Sequence, residues 1–477
     1  MLVITGLSMI FPAIIAWSYS ESDLNGHLIS LLICFFLGAP VWLITRKSKR
    51  LNSKDGFAIV SLAWILIAFA GALPFYFTGS IPNITDAWFE SMSGVTTTGA
   101  SILGDINTLP NLVNGIESLP HGVLFWRSFI QWIGGMGIIV FTIAILPLLG
   151  VGGVQLFKAE VPGPVADKIK PRVKETAKIL WMVYVGLTLI QTILLGMSGM
   201  PWFDAVCHSF TTMPTGGFST QNASIAAYNN AAIHYIIITF MFLAGVNFTL
   251  HFKALTGNIK GYFKDTEFIT YSCILIFVTL FIFLNISSSS FSWKHANFLD
   301  SLFQSVSILT STGFGSADYE LWPFFSQLLL FFMMFFGAMG GSTSGGMKIA
   351  RVILLIKYAA TETRRMLHSR AIIPIRIGDR TIGDDVIRNT LGFFLIYLSF
   401  FVLTALVLTA LNYDFTSSLS VAASALGNIG PAFGSFGPTN NYALLHPIGK
   451  WMMTFCMLLG RLEIFTIMVL FSRTFWK

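Results

Sequence analysis

Four segments of the chain place small polar side chains beside glycine in a pattern that could coordinate a cation. Threonine contributes a hydroxyl oxygen, and glycine permits backbone angles that turn successive carbonyl oxygens toward one point. Carbonyl oxygens arranged in this way can replace the hydration shell of an alkali cation without any carboxylate. The segments read VTTTGAS (95–101), PTGGFS (214–219), LTSTGFGS (309–316) and GNIGPAFG (427–434), and they centre on Gly99, Gly216, Gly313 and Gly430.

A semi-apolar segment precedes each of these glycines and is too short to cross a bilayer, which takes about 20 apolar residues. We expect each segment to form a short helix whose C-terminal end carries partial negative charge and points at the glycine loop. Non-helical backbone at membrane depth is tolerated only where protein buries it or where it lines a water-filled cavity. Each segment begins near an aspartate that we expect to cap the helix, namely Asp86, Asp204, Asp300 and Asp414.

The composition indicates that these loops belong to a membrane protein. Hydrophobic residues make up 54% of the 477 residues and charged residues only 11%, whereas a soluble domain has about 25% charged residues. We expect the first apolar stretch to be a retained span, with a cleaved signal peptide as the alternative. We predict ten spans, near 1–19, 27–45, 57–78, 123–148, 179–199, 232–252, 268–286, 322–357, 391–411 and 447–472.

Lysine and arginine are concentrated in alternate connections between the predicted spans. By the positive-inside rule the basic connections are cytoplasmic, and both termini then lie on the same side. The net charge of +7 is therefore a topology signal and does not predict nucleic-acid binding. The basic connections are 46–56, 158–178, 253–267 and 357–390, whereas no Lys or Arg occurs in 79–121, 200–231 and 412–446, and 287–321 contains only Lys294.

The order of span, short helix, glycine loop and span occurs four times along the chain. The predicted fold is an all-α polytopic membrane protein with four pseudo-symmetric helix–pore-loop–helix repeats around one pore. Two extra N-terminal spans, 1–45, precede the repeats. The predicted repeats are 57–157, 179–255, 268–357 and 391–472.

A second glycine cluster lies inside the overlong apolar stretch 322–357. Five of the residues in 337–347 are glycine, and each glycine costs a helix interior about 1 kcal/mol relative to alanine. We expect this cluster to unwind the helix into an intramembrane loop below the filter that acts as a gate, with close helix packing as the alternative. The predicted gate residues are Gly340, Gly341, Ser342, Thr343, Ser344, Gly345 and Gly346.

Arg461 lies within the last predicted span, where a charge costs about 2.5–3.5 kcal/mol on insertion scales. We expect it beside the pore, where it repels cations or holds the glycine-rich loop. The alternative is a buried ion pair, for example with Glu463, although residues two apart on a helix do not face each other. We expect Lys348 to extend to the cytoplasmic surface, and Arg127 and Gln131 are candidates to hydrogen-bond the loop backbone.

The four glycine loops resemble those of the Trk/Ktr/HKT superfamily of potassium transporters. Three further motifs resemble its TrkH branch, and the similarity extends over essentially the whole chain, including the two leading spans. These motifs are GGMGIIVFTIAILPLLGVGG (134–153), GGSTSGGMKIAR (340–351) and MLLGRLEIF (457–465). The resemblance implies K⁺ uptake through one pathway surrounded by the four repeats. It also implies a gate at the glycine-rich loop and Arg461.

The resemblance also assigns the ion filter residue by residue. Gly99, where a sodium-carrying branch often has serine, favours K⁺. A sodium or less selective monovalent cation transporter of the same fold, including an ion-coupled symporter, is the alternative. The fourth loop departs from the others at Asn428, so we expect one or two good ion sites rather than four. The filter residues are Thr97, Thr98, Gly99, Thr215, Gly216, Thr312, Gly313, Ile429 and Gly430.

The resemblance further implies partners and a location. It implies a homodimer in the bilayer of the bacterial inner membrane, a separate cytosolic nucleotide-binding subunit of TrkA type, and no cofactor beyond the permeant K⁺. The basic connections 158–178 and 357–390 are the docking surfaces that we expect for this subunit. Their alternative roles are to fix topology or to contact anionic lipids.

Two other functional classes fit the sequence poorly. The chain contains no HExxH, GxSxG or P-loop motif, so an enzyme is not expected. A secondary transporter for ammonium or an organic solute is typically built from inverted repeats. The four repeats of this chain share one orientation, which disfavours that class.

Overall fold

The chain is mostly helical in the computed structural model. The structure describes residues 1–45, 53–104, 115–144, 169–290, 295–368, 373–378, 380–473 and 475–476. The predicted spans and connections over 46–52, 145–168 and 291–294 lie outside the described residues, as does the end of the first predicted repeat. The only sheet among the described residues is a two-stranded antiparallel hairpin of β1 (Arg376–Ile377) and β2 (Arg380–Thr381).

The N-terminal part forms a helical hairpin that packs beside the first repeat. It consists of α1 (Leu2–Ser8), α2 (Ile10–Ser18) and α3 (Leu24–Thr45). Both α1 and α2 pack against α3, and α2 also packs against helix α6 of the first repeat. Many large apolar side chains on the outer faces of these helices are exposed. Such surfaces are suited to contact with lipid.

Each repeat contains one short helix between longer ones. The first repeat has α4 (Ser53–Phe77), α5 (Ile84–Val95) and α6 (His121–Ala144). The second has α7 (Ile169–Met197), α8 (Trp202–Thr212), α9 (Ala231–Ala244) and α10 (Phe248–Leu255). After α11 (Lys260–Lys264), the third has α12 (Thr266–Ser290), α13 (His295–Leu309), α14 (Phe324–Met333) and α15 (Ile349–Leu367). The fourth has α16 (Asp384–Ala410), α17 (Phe415–Gly427), α18 (Pro447–Arg461) and α19 (Phe465–Met468). Short 3₁₀ turns lie at Ile116–Ser118, Ser224–Ala227, Tyr319–Leu321, Gly434–Phe436 and Val469–Phe471.

Several described helices are long and apolar enough to cross a membrane. By length and composition five qualify, and the count is up to seven if each of two bent pairs forms one span. The pair α9 and α10 is bent by 101°, and α18 bends by 109° into the segment that begins with α19. The helices over the predicted spans 232–252 and 447–472 are therefore broken, a feature that the sequence did not predict.

The helix that follows the short helix is interrupted in the last three repeats. Asn247 starts α10 by accepting a hydrogen bond from the Thr249 backbone N at 2.8 Å. Glu463 and Ile464 interrupt the last helix with φ angles of 57° and 47°. Residues 334–348, called the glycine-rich loop below, are not helical. This break confirms the expectation that the glycines of 337–347 unwind the helix.

The repeats close into a ring through contacts between neighbours. The short helix α8 packs against α6 of the first repeat, and α13 packs against α9 of the second. The first short helix, α5, packs against α18 of the fourth repeat. Contact between the first and last repeats brings the ends of the four short helices around one axis.

Candidate functional site

Each of the four short helices leads into the same two-step turn. At the first step a non-glycine residue has a left-handed φ angle, which costs about 1–3 kcal/mol and persists only when the surroundings impose it. At the second step, two residues later, a glycine has positive φ. The first-step residues are Thr97 (52°), Thr215 (58°), Ser311 (56°) and Asn428 (52°). The second-step glycines are Gly99 (80°), Gly217 (76°), Gly313 (79°) and Gly430 (103°).

The residue between the two steps bonds back to its short helix in the same register in every loop. Its backbone N donates to the carbonyl oxygen five residues earlier, with these distances: Thr98 to Ser93 2.8 Å, Gly216 to Thr211 2.8 Å, Thr312 to Ser307 2.8 Å, and Ile429 to Ser424 3.0 Å. This register aligns the loops without reference to residue type. Gly217, rather than Gly216, is therefore the counterpart of the other three positive-φ glycines. The sequence prediction centred the second loop one residue too early.

The four loops contact each other in cyclic order. A Cβ atom on Gly99 would collide with the carbonyl oxygen of Gly216 in the next loop. Likewise, a Cβ on Gly217 would collide with the Thr312 oxygen, and a Cβ on Gly313 would collide with the Ile429 oxygen. A Cβ on Gly430 would lie 2.7 Å from the Thr98 oxygen. No side chain fits at these glycines. One backbone oxygen thus lies at each of the four contacts between loops, and the four are called the carbonyl ring below: Thr98, Gly216, Thr312 and Ile429.

A cavity of about 90 Å³ lies on one side of the carbonyl ring. Its lining includes all four positive-φ glycines, Gly99, Gly217, Gly313 and Gly430, together with the segments that follow them. The lining contains no Asp or Glu among the described residues, and Arg127 is its one charged residue in that part of the chain. Apart from Arg127, this side of the ring is therefore lined by uncharged residues.

Side chains from neighbouring elements hold the loops in place. Gln131 Nε2 donates to the Gly216 oxygen at 2.7 Å, and its Oε1 accepts from the Phe218 backbone N at 3.2 Å. Arg127 Nη1 donates to the Ser219 oxygen at 3.0 Å. These bonds confirm the expectation that Arg127 and Gln131 bond the loop backbone.

Only one of the four aspartates predicted as helix caps has that role. Asp414 accepts from the Ser417 backbone N at 2.9 Å and so caps α17. Asp204 accepts from the hydroxyl of Thr220 at 2.7 Å, and Asp300 accepts from that of Ser316 at 3.1 Å. These two carboxylates anchor the segment that returns from the ring. Asp86 instead forms an ion pair with Lys450 at 2.6 Å, and Asn83 caps α5.

A further carboxylate contacts the segment after the fourth loop. Glu320 accepts a hydrogen bond from the Gly434 backbone N. Burial raises the pKa of Glu320, and the Gly434 N–H acts in the opposite direction. Tyr442 Oη and Ser424 Oγ donate to the Gly430 oxygen at 2.7 and 2.9 Å. The fourth loop is thus held mainly by neutral donors.

The glycine-rich loop touches the opposite side of the carbonyl ring from the cavity. Thr215 Oγ1 donates to the Thr343 oxygen at 3.0 Å, and the Gly345 backbone N donates to Ser311 Oγ at 2.6 Å. Thr215 and Ser311 are first-step residues, each directly before a carbonyl of the ring. Of the predicted gate residues, Thr343 and Gly345 therefore lie directly against the predicted filter.

One carboxylate anchors the glycine-rich loop near its middle and just beyond its end. Glu267 Oε1, at the start of α12, accepts from the Gly340 backbone N at 2.8 Å and from the Ala350 backbone N at 3.0 Å. Lys348 folds back onto the loop, where its Nζ donates to the backbone oxygen and hydroxyl of Ser344. The expected extension of Lys348 to the cytoplasmic surface is therefore wrong. Sequence reasoning also missed Glu267, because nothing in its local sequence indicates the distant loop.

Arg461 points at the glycine-rich loop from the end of α18. Its Nη1 donates to the Thr343 oxygen at 2.5 Å, and its Nη2 donates to the Gly134 oxygen at 3.4 Å. The residue is only 2% exposed. Glu463 pairs with Arg351 at 2.5 Å, so the alternative that Arg461 pairs with Glu463 is wrong.

The comparisons with known proteins agree with this architecture. A family described as "TrkH: Cation transport protein" matches residues 26–477. The chain is 41% identical to the Trk system potassium uptake protein TrkH of Vibrio parahaemolyticus over 490 residues, which cover 100% of the chain and 97% of the relative. It is 40% identical to the protein of the same name from Salmonella typhimurium, over 98% of the chain and 96% of that relative.

A solved structure extends the similarity to three dimensions. The crystal structure of the potassium transporter TrkH from Vibrio parahaemolyticus superposes with a TM-score of 0.89 at 38% identity, covering 100% of this chain and 97% of that chain. The match confirms the predicted all-α membrane fold and a transporter rather than an enzyme. Taken with the family match over residues 26–477, it shows that this chain belongs to the TrkH family of cation transport proteins.

Proposed function

We propose that the protein takes up potassium ions across the membrane through the carbonyl ring. The closure of four loops into one circle of carbonyl oxygens is the observation that carries this proposal. Carbonyl oxygens suit a dehydrated alkali cation, and the four short helices direct their partially negative C-terminal ends at the same point. The printed names of the relatives as potassium uptake proteins support K⁺ as the cation.

The glycine-rich loop and Arg461 are proposed as the gate of this pathway. The loop lies directly against the first-step residues Thr215 and Ser311, and Arg461 bonds to the loop at Thr343. A cation leaving the ring on this side meets a fixed positive charge and closely packed backbone. Opening requires that these hydrogen bonds break together, which a glycine-rich segment can do with little side-chain rearrangement.

A less selective monovalent cation transporter, one that also passes Na⁺, is the second candidate. The observation that favours it is the irregularity of the ring, in which Thr98 and Thr312 carry hydroxyls whereas Gly216 and Ile429 do not. Four non-identical loops form a less regular site than four identical ones. Uptake measurements with competing cations separate the two candidates.

The remaining proposals concern the surroundings of the pore. We propose a location in the bacterial inner membrane with both termini cytoplasmic, because the basic connections alternate with connections that hold no Arg and at most one Lys. We also propose a homodimer that works with a cytosolic nucleotide-binding subunit of TrkA type. The basic residues of connection 357–390 are the proposed contact surface for that subunit.

The test is tracer Rb⁺ uptake into proteoliposomes loaded with KCl, with external K⁺, Na⁺ and Li⁺ as competitors. Wild type, Gly313→Ser and Arg461→Ala are compared. The proposal expects K⁺ to compete much better than Na⁺, Gly313→Ser to weaken this preference, and Arg461→Ala to change the rate. Equal competition by Na⁺ would support the less selective candidate. Absence of uptake even with the cytosolic subunit present would refute the pore.

A further inference from the structure

A buried ion pair lies behind the first two loops of the carbonyl ring. Arg127 Nε donates to Glu90 Oε1 at 3.0 Å, and the side chains are 2% and 0% exposed. Charges held this far from water are costly unless they are paired and fully hydrogen-bonded. The pair meets this condition through contacts with the segments that leave the ring.

The contacts of the pair divide between the first loop and the second. On the first, Arg127 Nη2 donates to Ser101 Oγ at 3.1 Å, and Glu90 Oε2 accepts from the Ile102 backbone N at 3.0 Å. On the second, Arg127 Nη1 donates to the Ser219 oxygen at 3.0 Å. The guanidinium carbon also lies 4.4 Å from the centre of the Phe218 ring. The Arg127 guanidinium and the Glu90 carboxylate thus join two loops that are distant in the sequence.

The third loop and the core of the fourth are held differently. Ser307 Oγ donates to the Phe314 oxygen at 2.8 Å in the third loop, and the Gly430 oxygen of the fourth accepts from the hydroxyls of Ser424 and Tyr442. These are neutral hydrogen bonds, and those to charged groups are roughly twice as strong. Carboxylates reach these two loops only at their last residues, Asp300 at Ser316 and Glu320 at Gly434. Among the described contacts, an ion pair that bonds to two loops at once is found only behind the first and second.

We propose that the Glu90–Arg127 pair positions the first two loops and prevents the carbonyl ring from contracting around a small cation. The inference rests on the function proposed above. Ser101 lies two residues after Gly99, and Phe218 lies directly after Gly217. Anchors this close to the Thr98 and Gly216 carbonyls fix their separation. A ring that cannot contract leaves Na⁺ poorly coordinated, whereas it fits the larger K⁺.

Three variants and a matched control test this role. Glu90→Gln removes the negative charge that accepts hydrogen bonds from the Arg127 guanidinium. Arg127→Lys keeps the positive charge but loses the planar set of donors of the guanidinium. Ser101→Ala removes only the hydroxyl that bonds to both charged groups. The control is Asp86→Asn. Asp86 lies on the same short helix as Glu90, and this substitution breaks its ion pair with Lys450. The hydrogen bonds of that pair include no residue of the first two loops.

The measurement is the ratio of Na⁺ to K⁺ inhibition constants for Rb⁺ uptake, with thermal unfolding in detergent as the folding check. Glu90→Gln and Arg127→Lys are expected to lose about tenfold of the K⁺ preference, which corresponds to about 1.4 kcal/mol. Ser101→Ala is expected to lose a smaller part, and Asp86→Asn none. A charge effect alone would leave Arg127→Lys like wild type and would overturn the proposal.

Two further outcomes decide the inference. Folded Glu90→Gln and Arg127→Lys proteins with unchanged preference would overturn it, as would an equal loss in Asp86→Asn. If Glu90→Gln and Arg127→Lys do not fold, Ser101→Ala decides, and an unchanged K⁺ preference in that variant would overturn the inference. A wild type that does not distinguish K⁺ from Na⁺ would instead refute the proposed function, so the two failures are distinguishable.

Discussion

Removing the carboxylate of Glu267 should open the pathway, because this one group holds, on both sides, the segment that contacts the carbonyl ring. Its Oε1 accepts from the backbone N of Gly340, near the middle of the glycine-rich loop, and of Ala350, just beyond its end. Thr343 and Gly345 lie between these two anchors, so both bonds oppose the movement of that segment away from the ring. Glu267→Ala removes both acceptor contacts without touching the ring or Arg461.

The size of the effect follows from the two bonds. When the carboxyl is ionised, each hydrogen bond to it contributes about 1.5–3 kcal/mol, so the two together then contribute at least about 3 kcal/mol to the closed position. That energy corresponds to about a 100-fold change in the ratio of closed to open loops. Glu267→Gln keeps a neutral acceptor at the same place, and neutral bonds are roughly half as strong. Its effect should be intermediate, about tenfold.

The assay is the initial rate of Rb⁺ uptake into proteoliposomes without a regulatory subunit. We expect the rate to rise in the order wild type, Glu267→Gln, Glu267→Ala. The matched control is Asp265→Ala, which removes a nearby carboxylate. Asp265 Oδ1 accepts from the Phe268 backbone N at 2.8 Å, and none of the described contacts is a hydrogen bond from Asp265 to the loop. An unchanged or lower rate in folded Glu267→Ala protein would show that the loop is not the barrier.

Two further predictions concern the second glycine loop and the first short helix. Gly217→Ala should abolish Rb⁺ uptake, since its Cβ meets the Thr312 backbone oxygen and its φ is 76°, whereas Gly216→Ala should retain part of it because its Cβ meets only the Gln131 side chain. Equal losses in the two variants would contradict the alignment of the loops. Asn83→Ala should lower the free energy of unfolding by about 1 kcal/mol, because Asn83 Oδ1 caps α5 at the Thr85 backbone N. A chemical denaturation curve with an unshifted midpoint would contradict that capping role.

The order of elements could be predicted from the sequence because it depends on long patterns. Apolar stretches, the distribution of Lys and Arg and the repeated glycine loops extend over many residues, so errors of a few residues do not change the result. The break in the third repeat was also predictable, because the glycines of 337–347 disfavour any regular helix. The bends after Ala244 and Arg461 were not, because each depends on a few local residues.

The details of the site could not be predicted because they depend on where each helix begins or ends. In the second loop two glycines are adjacent, and only the end of α8 determines that Gly217 takes the positive φ. The same holds for the caps. Because α5 begins at Ile84, Asn83 precedes the helix and Asp86 falls within its first turn. Likewise Asp204 lies inside α8, which begins at Trp202.

The hydrogen bonds around the ring imply that the proposed gate and the proposed filter do not act independently. The glycine-rich loop bonds to Thr215 and Ser311, and each of these precedes a carbonyl of the ring by one residue. Both have left-handed φ angles, which need support from their surroundings. When the loop leaves, it removes those hydrogen bonds from the second and third loops, whereas its contact with the fourth is packing of Gly345 against Asn428. Opening of the proposed gate would therefore loosen the second and third loops most, and the Glu90–Arg127 pair, which bonds to the first and second loops, is the element that can limit the change in ring width.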